Sequence, residues 1–382
     1  MTSVQTVDVA VVGAGMAGAS AACFIAEDAS VVLLEMESQP GYHTTGRSAA
    51  LYSEAYGPLQ IRALTTGGRR FFEGPPAGFA AHPILTPRGA MFVARADQAP
   101  ALDALAAEVG TLASVEKLDA TQVRARVPVL RQDYVAAALL EPGAMDIDVN
   151  ALHQGFLRGV RARGGTLVTD AEVTGLARSG DAWEIETRAG AFRAATVINA
   201  AGAWCDAVAE LAGAAPVGLV PKRRTAILFA PPDGVDIGNW PLAVDVAEQW
   251  YFKPDAGKLL GSPADETPSP PTDAQPEELD VAIAVDRIQT AADLPIRRIE
   301  HRWAGLRSFV ADKTPAVGYD DRVPGFFWLA GQGGYGIQTA PGLGRLAAEL
   351  VAGRPVPADL ADLGVDVTQL NPRRPALQGD HA

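Results

Sequence analysis

Val7-Asp-Val-Ala-Val-Val-Gly13-Ala-Gly15-Met-Ala-Gly18 is an apolar run broken by three glycines at fixed spacing. A small-residue segment follows, then a second apolar run, residues 31–34, closed by Glu35. This pattern predicts strand, turn, helix and strand, the opening of a dinucleotide-binding unit. Gly13 permits the tight turn, Gly15 lets backbone amides approach a pyrophosphate, and Gly18 lets the helix lie close on the sheet. The phosphates belong at the helix N-terminus, where unpaired N–H groups and the helix dipole favour negative charge. Glu35 follows Gly13 by 22 residues, the spacing needed to reach a ribose 2′-hydroxyl. In a chain with 39 glycines a bare GxGxxG carries little weight. Flanked by two apolar strands and closed by an acid, it favours a bound dinucleotide over a ligand-free glycine-rich turn.

Working outward, 382 residues exceed the size of one ordinary core and predict two domains. A formal net charge of −13, from 32 basic and 45 acidic residues, argues against a nucleic-acid partner or an anionic membrane surface. It leaves an anionic substrate open, because a few buried arginines reverse the local field. Cys23 and Cys205 form no CxxC pair and belong to no metal-ligand cluster, so neither a disulfide nor a metal is expected. No apolar run approaches the roughly 20 residues needed to cross a bilayer. No basic stretch precedes the first apolar run. The expectation is a cytoplasmic protein without a signal peptide or an integral membrane segment.

The pattern predicts helices over 61–72, 101–112, 149–163, 205–211, 283–292 and 341–351. Strands are predicted over 90–94, 166–169, 173–177, 182–187, 191–195, 196–202 (an apolar strand running into Gly202), 225–229, 250–253, 259–261 and 325–330. The Pro-rich, acidic segment 265–280 reads as a solvated surface loop. Nucleotide-type and other segments alternate, which predicts an α/β (α+β overall) protein: a Rossmann-like dinucleotide domain interleaved with a second domain on a mostly antiparallel sheet. The first is assigned residues 1–85, 144–215 and 303–370; the second, 86–143 and 216–302. Residues 371–382 are expected to form a disordered tail. The site should lie between the two domains.

The opening fingerprint, residues 41–48, Asn199-Ala-Ala-Gly202-Ala-Trp204, Trp303-Ala-Gly-Leu-Arg307 and residues 331–339 together resemble the FAD-dependent D-amino-acid oxidase/dehydrogenase family. The resemblance runs from residue 7 to about 351. It looks nearest to bacterial D-arginine dehydrogenases and related broad-range D-amino-acid dehydrogenases, through residues 41–50, 221–224, 251–255, 303–312 and 333–339. It implies FAD, expected to be held noncovalently, on Gly13, Gly15, Met16, Gly18, Glu35, Thr45, Arg47, Ser48, Ala49, Val173, Gly202, Trp204, Gly331, Gly333, Tyr335, Gly336, Ile337 and Thr339. Some amine-oxidising relatives attach flavin through His or Cys, which singles out His43 for checking.

The resemblance also places Arg224 and Arg307 at a substrate carboxylate, for which a planar bidentate guanidinium is the suited donor. Tyr251 and Tyr56 join them. Gln338 and the backbone at Gly334 are placed at the substrate amine; the loop needs glycine there because a Cβ would stand between it and the flavin. The implied reaction is hydride transfer from Cα of an amino acid to flavin N5, followed by hydrolysis of the imino acid to a 2-oxo acid and ammonia. The electron acceptor that regenerates the flavin is open.

Two positions depart from the arginine-using relatives. Ala90 stands where they carry a glutamate, and Leu51 where they carry a histidine. A buried guanidinium without a carboxylate partner costs several kcal/mol. The expectation is therefore an apolar side-chain pocket at Leu51 and Ala90 and a neutral or hydrophobic D-amino acid. Three alternatives share parts of the pattern: a glycine- or sarcosine-oxidase-like secondary-amine oxidase, an FAD-dependent 2-hydroxy-acid dehydrogenase and a noncatalytic FAD-binding protein. The last has no need for a buried carboxylate receptor.

Overall fold

The computed structural model describes residues 4–110 and 112–378. The strand Gln5–Val12 lies at the centre of an eight-stranded sheet, with Val31–Leu34 parallel on one side and Gly190–Asn199 parallel on the other. Both faces are covered, which is why Val31–Leu34 is an unbroken apolar run with all four residues buried. Gly190–Asn199 divides its outer edge between two partners. Its first half pairs antiparallel with Ala182–Thr187, and its last three residues pair parallel with Phe326–Ala330.

The helix Met16–Ile25 sits on this sheet, and its small side chains set the spacing. A Cβ on Gly18 would come within 1.9 Å of the Gly13 carbonyl oxygen, so the helix needs glycine there to approach the turn. The helix Ala340–Val351 lies against it through Gly344, where a Cβ would meet Ser20 at 2.9 Å.

A nine-stranded sheet takes its strands from 90–94, 116–119, 137–141, 220–229, 242–262, 267–268 and 299–309. Every pairing in it is antiparallel except Leu242–Asp245 on Ala90–Ala94. The architecture is thus mixed α/β with one mainly parallel and one mainly antiparallel sheet, as expected. A third, three-stranded sheet joins Leu51–Tyr52, Met145–Ile147 and Leu85–Pro87.

Three expectations need correction. The strand Ile299–Phe309 pairs along Val220–Phe229 within the second sheet, so the chain does not return to the first sheet at 303 but only with Ala316–Tyr319. Secondly, the acidic segment 265–280 is not simply solvated. Asp265 accepts from Thr225, Asp273 takes Arg47, and Asp280 lies 2.8 Å from Arg223. The helix beyond it, Glu278–Ala291, also starts earlier than 283. Thirdly, residues 371–378 are packed on the fold. Buried Arg374 donates twice to Asp312, at 2.8 and 2.7 Å, and Leu377 is buried in the apolar cluster under the first sheet. Composition hid this because two arginines in a polar stretch read as solvated until their carboxylate partners are in place. The remainder of the expected tail, 379–382, lies outside the described residues.

Candidate active site

A cavity of about 510 Å³ opens at the C-terminal ends of the central parallel strands and runs onto the face of the antiparallel sheet. At its nucleotide end, Gly13, Gly15, Met16 and Glu35 line it. Glu35 is buried, and its carboxylate accepts from the Ala14 N–H at 3.0 Å and the Glu37 N–H at 3.0 Å. Burial pushes its pKa above the ordinary carboxylate value, against the pull of those two amides. Thr45 crosses from the next loop to accept from the Met16 N–H at 2.9 Å, occupying one donor of the helix N-terminus. A Cβ on Gly15 would meet only the Thr45 hydroxyl, at 3.3 Å, so this glycine leaves open cavity rather than room for packing.

Arg47, Ser48, Ala49, Val173, Gly202 and Trp204 line the middle of the cavity. Arg47 is fastened to the Ala274 and Ala304 carbonyls at 2.8 and 3.1 Å and to Asp273, so it braces the loop and does not swing free. His43, also on the wall, bonds Glu37 through Nε2 at 2.8 Å, and its buried Nδ1 has no partner among the described residues. Sequence reasoning missed Thr44, whose hydroxyl donates to the Leu306 carbonyl at 2.7 Å and ties this loop to the second sheet.

At the far end Arg224, Tyr251 and Arg307 converge, with Gly333, Gly334, Gly336 and Ile337 along one wall. Strand register explains the convergence. Lys222 pairs with Arg307 and Arg224 with Gly305, so the two guanidines rise from neighbouring strands two residues apart. Register also separates Arg224 from Arg223, which turns away to Asp280 and Glu277.

Arg307 donates to the Tyr56 hydroxyl at 3.4 Å. Burial disfavours its charge, but Tyr56, Tyr251 and Glu248 outweigh that and hold its pKa above the ordinary arginine value. Burial likewise raises Tyr56, more than Arg307 lowers it, so the phenol stays neutral at physiological pH. Arg224 donates to the Asp265 carbonyl at 2.9 Å and lies 3.5 Å from Glu266, whose other oxygen is taken by Lys222 at 2.8 Å. Asp265 and Glu266 were not anticipated as site residues; a proline-rich acidic stretch carries no local signal that it folds back onto a strand.

Several anticipated residues stand behind the wall. Tyr335 and Thr339 brace it: Thr339 donates to the Tyr335 carbonyl at 2.9 Å, and the Tyr335 ring lies edge-on to Tyr56 at 5.0 Å. Gly331, with φ +77°, makes the turn into the loop, and Gly18 packs under the first turn. Gln338 does not point into the cavity; its buried amide donates to the Thr65 hydroxyl at 3.0 Å and the Tyr56 carbonyl at 3.4 Å. The reason for glycine at 334 also changes: a Cβ there would stand 2.9 Å from the Arg307 guanidinium.

Leu51 and Ala90 do not line the cavity either. Ala90 is fully buried, and both belong to the apolar cluster behind Tyr251 and Ala49, so the expected side-chain pocket at these two positions is not formed. Extended pairing accounts for this, since Ala90 is enclosed between Leu242 and Glu141 on its neighbouring strands.

A family model described as FAD dependent oxidoreductase matches residues 8–350, almost the whole chain. The chain belongs to this family. It is 26% identical over 266 residues to the uncharacterized oxidoreductase YurR of Bacillus subtilis, covering 67% of each chain. It is 27% identical over 266 residues to human mitochondrial dimethylglycine dehydrogenase, covering 64% of this chain and 30% of that longer enzyme. In fold it is similar to glycine oxidase from Geobacillus kaustophilus, with a TM-score of 0.82 at 20% identity, covering 97% of this chain and 99% of the other.

The residues present fit FAD: buried Glu35 follows the glycine turn where a ribose would be held, and Gly15 leaves an open cradle beside the helix N-terminus where a pyrophosphate would lie. The protein is an FAD-dependent oxidoreductase.

Proposed function

We propose that this oxidoreductase deaminates a neutral or hydrophobic D-amino acid to its 2-oxo acid and ammonia. The observation that carries the reading is the pair Arg224 and Arg307 at one end of the flavin cavity. Among the described residues Arg307 has a tyrosine and no carboxylate as its hydrogen-bond partner, and Arg224 spends one N–H on a carbonyl and another on a long contact to Glu266. Two guanidines with so few acceptors among the described residues call for an anionic ligand, and a carboxylate matches their planar donors.

Bound FAD would accept the hydride released from Cα. The chain's own residues then have three tasks. Arg224 and Arg307 fix the carboxylate, Tyr56 and Tyr251 complete the clamp through their hydroxyls, and Gly333 and Gly334 leave backbone free to face the substrate amine. None of these residues needs to become a nucleophile; orientation and charge placement are the protein's contribution. The preference for a neutral side chain is supported by the lining around Arg224 and Arg307, where Ala226, Tyr251, Leu306 and Gly333 bring no carboxylate to pair a distal cation, and the D configuration rests on the resemblance of the substrate segments. FAD is held noncovalently, with His43 engaged by Glu37.

A secondary-amine substrate, such as an N-methylated glycine, is the second reading. Similarity to dimethylglycine dehydrogenase favours it, and the same carboxylate clamp would serve. Anaerobic bleaching of the flavin absorbance decides between them. Fast bleaching by D-Leu, D-Met or D-Phe with little by D-Arg is the expected result. Bleaching by sarcosine or dimethylglycine alone would establish the second reading, and D-Arg outperforming D-Leu and D-Phe in kcat/KM would overturn the neutral-side-chain assignment. Admitting air, or an artificial acceptor, then identifies what reoxidises the flavin.

A further inference from the structure

Behind the substrate end of the cavity lies a buried carboxylate that no step of the proposed reaction uses. Glu141 closes the strand Ala137–Glu141, is 2% exposed and pairs in register with Ala90. Its Oε2 accepts the Ser53 hydroxyl at 2.5 Å and its Oε1 the Glu54 N–H at 2.7 Å; the Ala55 amide also stabilises its charge. Among the described residues no cation pairs with it. Three donors from three successive residues thus converge on one anion, the arrangement in which charge-assisted hydrogen bonds hold a backbone segment most firmly.

The next residue is Tyr56. Its hydroxyl accepts from Arg307 and its carbonyl from Gln338, each at 3.4 Å. Gly57 beyond it has φ +96°, and a Cβ there would stand 2.7 Å from the Ile61 side chain. The segment is therefore closely packed after Tyr56 and anchored before it by Glu141.

We propose that Glu141 is a positioning residue for substrate binding: by anchoring residues 53–55 it holds Tyr56 against Arg307 in the carboxylate clamp. The proposal rests on the amino-acid reading above. It also makes substrate binding acid-sensitive. Burial pushes the Glu141 carboxyl up to about 6, against the pull of its donors. The groups facing it are Glu54 from the same segment, Tyr52, which donates to Glu54 at 2.6 Å, and Arg69 of the helix Leu59–Glu73, 3.4 Å from Glu54. Of the two strands paired with Ala137–Glu141, Ala90–Ala94 brings no titratable side chain, and Glu116–Asp119 pairs with residues 137–140 and carries Glu116, Lys117 and Asp119, all exposed. Protonation leaves Glu141 a weaker acceptor for the Glu54 and Ala55 amides, so Tyr56 loosens while the flavin and the rest of the clamp stay in place.

The test uses the FAD-loaded full chain, wild type beside Glu141→Gln, from about pH 5 to 7.5, a range that spans the titration. Two readouts are taken: hydrogen exchange of amides 53–57, corrected for intrinsic pH dependence, and the Kd of benzoate from its perturbation of the flavin spectrum. The expected result is faster exchange at acid pH in the wild type alone. Benzoate binding should weaken with acid by about five- to tenfold more in the wild type than in the variant, the worth of roughly one hydrogen bond. Ser53→Ala removes one donor and should move the midpoint of both effects to higher pH, which keeps the test decisive if Glu141→Gln folds poorly. Equal pH dependence of exchange in wild type and Glu141→Gln overturns the proposal, and so does a difference in exchange without a difference in Kd. Benzoate that binds neither protein at any pH overturns the carboxylate-clamp reading itself, a result distinct from the other two.

Discussion

Arg307 illustrates how a single residue carries the functional argument. Its guanidinium is enclosed where burial works against charge, yet its hydrogen-bond partner is a neutral phenol. Arg307→Met should raise KM for an amino-acid substrate by about 100-fold or more, the cost of roughly 3 kcal/mol of charged hydrogen bonding, while FAD content stays at wild-type level. Steady-state kinetics beside the flavin-to-protein absorbance ratio checks this; loss of flavin together with substrate affinity would assign Arg307 to the cofactor instead. Arg307→Lys should recover little, because an ammonium cannot make the planar two-point contact. At His43, the engaged Nε2 and noncovalent reading predict that acid precipitation releases all of the flavin into the supernatant. Yellow colour retained in the pellet would place a covalent bond there or elsewhere on the chain.

At the scale of elements, the first helix depends on a neighbour for its N-terminus. It has no side-chain cap of its own, and Thr45 reaches across to the Met16 N–H. Thr45→Val should weaken FAD binding by about fivefold, the loss of roughly 1 kcal/mol of hydrogen bonding at the turn. Apoprotein titration with FAD measures it, and an unchanged Kd would show that the crossing contact is dispensable. The parallel strands were legible because they are covered on both faces and so read as unbroken apolar runs. The strand Ile299–Phe309 was not. It runs from solvent, with Glu300, His301 and Arg302 exposed, into buried Ala304–Leu306, and a strand that crosses environments along its length shows no period-two pattern. The site loops were legible in composition but not in direction. Gln338 sits in the anticipated segment, yet turns to Thr65 and Tyr56, so it braces the wall that was expected to touch the substrate through it.

Across the whole molecule, the cavity lies where two sheets meet, and contacts distant in sequence hold it. Asp273 fastens Arg47, Thr44 reaches Leu306, and the C-terminal segment returns to grip Asp312 through Arg374. Arg374→Met removes one partner of a largely enclosed ion pair and should lower Tm by several degrees, with scanning calorimetry as the check. An unchanged Tm would show that residues 371–378 merely rest on the surface. Glu141 carries a pH-dependent share of stability. Its folded pKa of about 6 lies above the ordinary 4.5, so its favourable contribution is complete below about pH 4.5 and is lost as pH rises through 6. Relative to Glu141→Gln, the wild type should lose about 2 kcal/mol over that interval, seen as a Tm gap shifting in favour of the variant. By itself the sequence determined the dinucleotide turn and the acid that closes it, because glycine spacing is a local property; the run Lys222-Arg223-Arg224 did not by composition say which side chain turns inward. Tertiary structure alone decided that Arg224 and not Arg223 faces the cavity, that Ala90 lies behind its wall, and that the acidic loop folds over the site. Each of these depends on strand register and on partners tens to hundreds of residues away, which no local pattern encodes.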